Sequence, residues 1–373
     1  MTDPDPTPGP PLVTRVEEEP PLVLMAEPVS PPPPARPWPG FWGAVLTTLG
    51  FAVVLFGVLI GVVFVAAFVL GAVEGPDAFA PPPGVAAGTV AALPPAVVEA
   101  LAIAFPVAYA ASLVYAAVML RCFVGRGWAR AVGLGRLPPA HLALAVFALP
   151  GFVVLSDALA ALLFRLFESD PKQTGDLGEI FRSFHWSFAV LAIGVGPGVV
   201  EELWCRGFLG RGLVGRYGWL GGVALTSLFF GALHMYPLAY VLVTAAMGGA
   251  LHFVYAMSRS LWVPVAVHLL NNSFAGLVAV KAIPADGMER AMADNPVLGG
   301  GLAAATLVCA GIAMWTGRAR VRPVPGSPGE PPHRGVMVPP PESGAELVAA
   351  RPSPLASLSA AAASAGLVWV LCR

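Results

Sequence analysis

The sequence predicts an all-α fold, a polytopic bundle of about eight transmembrane helices, on three observations. Hydrophobic residues make up 57% of the 373 and charged residues only 12%, against roughly 25% charged in a soluble globular chain. Mean hydropathy is +0.75. Eight apolar segments approach the ~20 residues that cross a bilayer as helix. The arginines fall in alternate connections between those segments, as the positive-inside rule requires.

Residues 1–39 are polar and Pro-rich, with an acidic patch at 17–19 and four prolines at 31–34, and read as a disordered tail. The first apolar run starts too late and is too long for a cleaved leader, so it should stay as a signal-anchor helix. The spans read as 42–70, 96–120, 141–166, 186–209, 218–235, 237–257, 261–280 and 297–316. The first exceeds the bilayer thickness and should tilt or project. Pro106 and Pro150 fall inside the second and third, where kinks are expected. Residues 40–317 thus form the membrane domain. A second Pro-rich tail covers 318–373. Its last apolar stretch, 355–371, is Ala/Ser-rich and barely long enough to cross, and it stays unassigned.

Arg121, Arg126, Arg130 and Arg136 follow the second span; Arg206, Arg211 and Arg216 flank the end of the fourth; Arg259 lies between the sixth and seventh; Arg318, Arg320 and Arg322 follow the eighth. All fall on one side if both tails are cytoplasmic. The opposite connections carry Glu74 and Asp77, then a mostly acidic 168–183 stretch, then Lys281, Asp286, Glu289, Arg290 and Asp294. A multi-pass protein of a bacterial inner membrane is expected, the Arg, Ala, Gly and Pro bias being compatible with a GC-rich genome. A net charge of −1 and dispersed basic residues argue against nucleic acid as a partner. The four cysteines are widely separated and form no CxxC pair, which removes a thiolate metal site and a disulfide framework.

Against this apolar background, Glu201, Glu202 and Arg206 lie within six positions. A carboxylate in hydrocarbon costs at least roughly 2.5–3.5 kcal/mol, which makes such a residue a functional candidate. Glu202 and Arg206 are four apart and can pair on one helix face. Glu201 is turned about 100° away with Cys205 at its own i+4 position, which leaves it the freer carboxylate and the better general base. Phe230 and His234 share a face of the fifth span, and His268 and Asn272 share a face of the seventh. Glu201 lies 16 residues before Tyr217 and His234 lies 17 after it. Antiparallel helices turning there would set both at one depth, roughly 24 Å of helix from the turn. A carboxylate, two imidazoles and an amide suit hydrolysis by activated water, with the amide orienting an imidazole or meeting an oxyanion. Glu201, His234 and His268 could equally bind a divalent metal such as zinc with an open position.

The three motifs, Glu201-Glu202-x-x-x-Arg206, Phe230-x-x-x-His234 and His268-x-x-x-Asn272, resemble the signature of the CPBP family (Abi, CAAX-protease and bacteriocin-processing), whose members include the type II CAAX prenyl endopeptidase. The run from Ser260 to Pro264 resembles the context of the third motif. The resemblance covers about residues 185–280. It implies a helical membrane endopeptidase. In that reading Glu201 activates water, His234 and His268 are catalytic and Asn272 stabilises the oxyanion. Glu202, Arg206 and Phe230 support them. The implied partners are membrane lipid and a peptide or lipidated protein substrate, such as a prenylated CAAX-type peptide. Both a metal and a metal-free glutamate mechanism stay open. Two rivals use the same residues: a transporter or proton relay, and a catalytically silent scaffold or immunity protein. Each motif alone also has a packing explanation, Glu202–Arg206 as a structural ion pair and the histidines as interhelical hydrogen bonders. His252 reads as packing, and His141 and His185 as interfacial. Gly248 and Gly249 read as points of close helix approach.

Overall fold

A computed structural model describes residues 38–80, 93–169, 184–235, 237–318, 320–323, 345–348 and 350–372. The 1–37 part of the expected N-terminal tail, most of the acidic 168–183 connection and most of the 318–354 tail lie outside them. The described chain is an all-α bundle with eight helices long and apolar enough to cross a membrane. In order they are α1 (Phe41–Glu74), α2 (Pro95–Phe123), α3 (Pro139–Leu166), the composite Trp186–Ala232, α6 (Leu238–Ser258), α7 (Trp262–Ala279), α9 (Pro296–Thr316) and α10 (Pro354–Leu371). A short helix, α8 (Asp286–Asp294), joins α7 to α9.

The 47-residue composite is two helices, α4 (186–217) and α5 (219–232), because Gly218 breaks it with φ 76° and ψ 177°. Only glycine takes that backbone without strain. The chain reverses there. Positions equidistant from Gly218 meet across the turn: a Cβ on Gly222 would lie 2.3 Å from Val214 Cα, and the Arg206 guanidinium covers the Phe230 ring at 4.8 Å. Helix therefore lies over each of the eight expected segments, although the fourth and fifth form one composite element and α5, 219–232, is shorter than the expected 218–235. The unassigned 355–371 stretch is also helix, and Ser353 caps it by accepting from Ala356 N. Two four-residue strands, β1 (Arg320–Pro323) and β2 (Ala345–Val348), pair antiparallel within what was expected to be disordered tail. Their pairing accompanies a pinned connection, since Ser353 N donates to Thr316 Oγ1 at 2.9 Å and joins the start of α10 to the end of α9.

The basic connections gather at one end of the bundle. Phe41 N donates to the Tyr217 hydroxyl (3.0 Å), Arg211 Nη1 to Ala131 O (3.2 Å) and Trp262 Nε1 to Leu134 O (2.7 Å). The core beneath that end is aromatic. Trp204, fully buried, stacks on Phe51 and Phe208, and Trp38 stacks on Phe123. His141 is 4% exposed, so it is covered by protein at the helix start where it was expected. It lies in the first turn of α3, where α9 covers it. His252 packs as expected, fully buried beside Trp219 and Tyr255.

Helices α4 and α7 pack antiparallel with little room. A Cβ on Gly198 would sit 3.1 Å from Leu269 Cα and Cβ, and one on Gly194 would meet the Ser273 side chain. Small residues four apart let helix backbones approach closely in a membrane. Gly198→Val is therefore expected to cost about 1–3 kcal/mol by overpacking. It would read as a lower melting temperature in detergent, and an unchanged one would mean that the α4–α7 contact has slack.

Candidate active site

The Glu201-Glu202 turn is a short α-helical stretch, Gly196–Glu202, between two π-helical segments, Val190–Val195 and Leu203–Gly210. The expectation was uninterrupted α-helix. π-Bulges occur mostly at functional sites, because the wider turn re-aims side chains and loosens the regular hydrogen-bond ladder. One consequence is visible here: the Ile193 carbonyl, inside the first π segment, accepts from Asn272 Nδ2 at 3.2 Å.

Glu202 and Arg206 pair despite the π segment. Arg206 Nη1 donates to Glu202 Oε1 at 2.7 Å, with the two side chains 1% and 0% exposed. The second guanidinium amine, Nη2, donates to the Gly248 carbonyl of α6 at 2.8 Å. Gly248 fits its expected role, since a Cβ there would be 3.0 Å from the Phe230 ring. The same Glu202 oxygen takes a second bond that the spacing did not reveal, from His268 Nδ1 at 2.8 Å. A carboxylate only accepts, so His268 carries its proton on Nδ1 and, when neutral, presents Nε2 as an acceptor. Nε2 lies 4.0 Å from Glu201 Oε2, which is buried and has no hydrogen-bond partner. Glu202 Oε2 and Arg206 Nε are likewise buried without partners. The Glu201 side chain is 13% exposed, the most open of the charged triplet.

Phe230 is the hub. Its ring lies under Arg206 and makes edge contacts with His234 (5.1 Å) and His268 (5.8 Å). His234 is half-buried at the end of α5, and its Nδ1 donates to the Phe230 carbonyl at 2.9 Å. Its Nε2 is thereby also the free ring nitrogen. His234 joins the cluster through Phe230 and makes no bond to either glutamate. Tyr240 of α6 stands 6.0 Å from the His234 ring. Tyr240 and Tyr109 of α2 both lie within electrostatic reach of Glu201. Neither tyrosine stands in a motif, and only tertiary structure brings them here. Asn272 spends one N–H on Ile193 and accepts from Asn271 at 3.2 Å, which leaves its second N–H.

The structure thus brings Glu201, Glu202, Arg206, Phe230 and His268 into one contact cluster, which His234 joins through Phe230, with Asn272 one turn further along α7. The suggested metal set does not assemble. Among the described residues, no three His, Cys, Asp or Glu side chains gather to hold an ion. His234 is turned to Phe230, and His268 gives one nitrogen to Glu202.

Residues 183–274 match the protein family described as type II CAAX prenyl endopeptidase Rce1-like. That segment contains all three motifs. The protein named "Putative membrane peptidase YdiL" from Bacillus subtilis (strain 168) is 29% identical over 89 residues, 24% of this chain and 36% of its own length. The chain therefore spans about a third of that relative. No solved structure matches.

Proposed function

Because residues 183–274 of this multi-pass membrane chain match the type II CAAX prenyl endopeptidase Rce1-like family and are similar to a membrane peptidase, we propose that it is an intramembrane endopeptidase of the CPBP family. It hydrolyses a peptide bond of a membrane-associated substrate with water activated by Glu201. The observation that carries this reading is the facing of Glu201 Oε2 and His268 Nε2 across 4.0 Å. Two acceptors cannot bond to each other. A water molecule can donate to both and keep a lone pair for a carbonyl carbon. Glu201 takes the water proton as the new C–O bond forms. Glu202 holds His268 in the required tautomer, and Arg206 balances the charge of Glu202. The remaining N–H of Asn272 is available to the oxyanion. As the tetrahedral intermediate collapses, the C–N bond breaks and the proton on Glu201 passes to the leaving amine, with His234, across the Phe230 ring, to assist. Each step runs through side chains alone, because among the described residues no three His, Cys, Asp or Glu gather as a metal set.

Prenylated C-terminal peptides are the first substrate class to test, and the basic end of the bundle is placed in the cytoplasm of a bacterial inner membrane. Purified protein in detergent would be given three peptides: a prenylated peptide, its unprenylated twin and an unrelated transmembrane segment. The products would be sized by mass spectrometry. Internal cleavage of the lipidated peptide is expected, and it should persist after dialysis against a chelator. Loss on dialysis with recovery on added zinc would overturn the metal-free step. Solute or proton flux in proteoliposomes, with no peptide product, would replace the protease reading by a transporter.

A further inference from the structure

Away from the glutamates, between α3, α6, α7 and α9, the bundle holds a hollow. It is a cavity of about 180 Å³, bounded by Leu149 and Phe152 of α3, Leu251 of α6, Val267 of α7, and Leu307 and Met314 of α9. Its lining is almost wholly apolar, so water has nothing there to bond. Ala250 at its edge is exposed, and Phe253, Leu307 and Gly311 are half-buried, so the cavity opens on the bundle surface. Outside that surface is lipid. Val254 lies five residues before Arg259 and Val267 five residues after Trp262, which places this part of the lining roughly 8 Å in from the basic end.

The end above the cavity is built around two arginines. The 133–136 loop docks on the α6–α7 turn. Ser260 Oγ donates to the Arg136 carbonyl, Trp262 Nε1 donates to the Leu134 carbonyl, and Gly133 touches the Arg259 carbonyl closely enough to exclude a Cβ. Both arginine side chains are half-buried, and each is near enough to act on its neighbours. Burial, and then the Arg136 cation, push the Arg259 pKa below its usual value, and burial lowers that of Arg136. Arg136 also lies within electrostatic reach of His141, which is buried in the first turn of α3, the helix that carries the cavity residues Leu149 and Phe152. The arginine pair thus sits just before α3 and at the α6–α7 turn, beside elements that line the cavity. Arg259 has contacts of its own; what this end lacks is negative charge. Among the described residues, the only carboxylate on segments leaving the bundle here is Glu346.

We propose that this is a binding site for an anionic phospholipid, with the phosphate against Arg136 and Arg259 and an acyl chain in the cavity below. Two guanidiniums at the bilayer interface suit a phosphate, and a dry slot one to three turns deeper suits hydrocarbon. Because α7 lines the cavity with Val267 and carries His268 on its next residue, a bound lipid braces the helix that completes the active site. The inference does not depend on the proposed peptidase chemistry.

The test uses purified full-length protein in a neutral detergent, melted with added phosphatidylglycerol, phosphatidylcholine or glycerol phosphate. Native mass spectrometry would count bound lipid. Phosphatidylglycerol is expected to raise the melting temperature by roughly 3–6 °C, with one lipid retained, and the other two additives should do much less. The double substitution Arg136→Gln/Arg259→Gln should abolish that preference. So should Gly311→Leu, which fills the cavity and improves helix propensity, so that its fold is expected to hold. Arg126→Gln, an exposed cation at the same end, should retain it. Equal shifts with phosphatidylcholine, an equal shift with glycerol phosphate, or equal loss in Arg126→Gln would each overturn the site. So would a Gly311→Leu protein that binds phosphatidylglycerol normally. A dimer that Gly311→Leu converts to monomer would assign the cavity to a second copy instead.

Discussion

Glu201→Gln is expected to lower peptide cleavage by roughly 10²–10⁴-fold while leaving the protein folded and slightly more heat-stable. The two halves of that expectation have one cause. Glu201 is the one member of the charged triplet without an ion-pair partner at hydrogen-bond distance, and its Oε2 is buried with no hydrogen bond. A general base needs that availability. The same isolation means that the native fold bears an uncompensated carboxylate, and an isosteric amide removes the charge without removing a contact. Cleavage rate and melting temperature should therefore move in opposite directions. A variant as active as the parent would take Glu201 out of the mechanism. A variant that is inactive and also several degrees less stable would show that the residue is structural. The prediction can be made on any substrate found by the peptide panel, since it compares rates on the same bond.

Much of the arrangement was legible in the sequence, for reasons that belong to membranes. Water-free surroundings force the backbone into helices and make every intramembrane charge conspicuous. The apolar segments and the reversal near Tyr217 followed from hydropathy and spacing. The reversal is at Gly218, one residue away, and residues twelve positions to either side of it, Arg206 and Phe230, are in contact. Local pairing was legible as well, because Glu202 and Arg206 are neighbours on one helix. What could not be read is what depends on helix rotation. His268 was visible as a histidine at a plausible depth, but its bond to Glu202 spans 66 residues and depends on how α7 is turned against α4. The contacts that set that turn involve Gly194 and Gly198, which carry no side chain to announce them. The π segments are a second hidden feature, because their sequence is ordinary apolar residues with glycines. The metal alternative was open for the same reason: spacing gave three candidate ligands, and rotation directs His234 to Phe230 and His268 partly to Glu202.

The largest effect on stability is expected at Arg206. Arg206→Met leaves Glu202 fully buried without its cation and removes the Gly248 bond and the cover over Phe230. Breaking one side of a buried pair costs about 3–5 kcal/mol. Glu202→Gln should be damaging too, because Arg206 then keeps its charge in the same dry place. In the double variant Glu202→Gln/Arg206→Met no buried charge is stranded. Replacing a whole buried pair with neutral groups is often close to neutral, so much of the lost stability should return. Activity should not return with it. His268 would face an amide in place of the carboxylate that fixes its tautomer, and Nε2 would no longer be held as an acceptor opposite Glu201. Melting temperatures of the four proteins in detergent, beside their cleavage rates, read both outcomes from one set of samples. Single variants that melt like the parent would remove the pair from the account of stability. A double variant that recovers both stability and rate would show that Glu202 holds the fold and has no part in orienting His268.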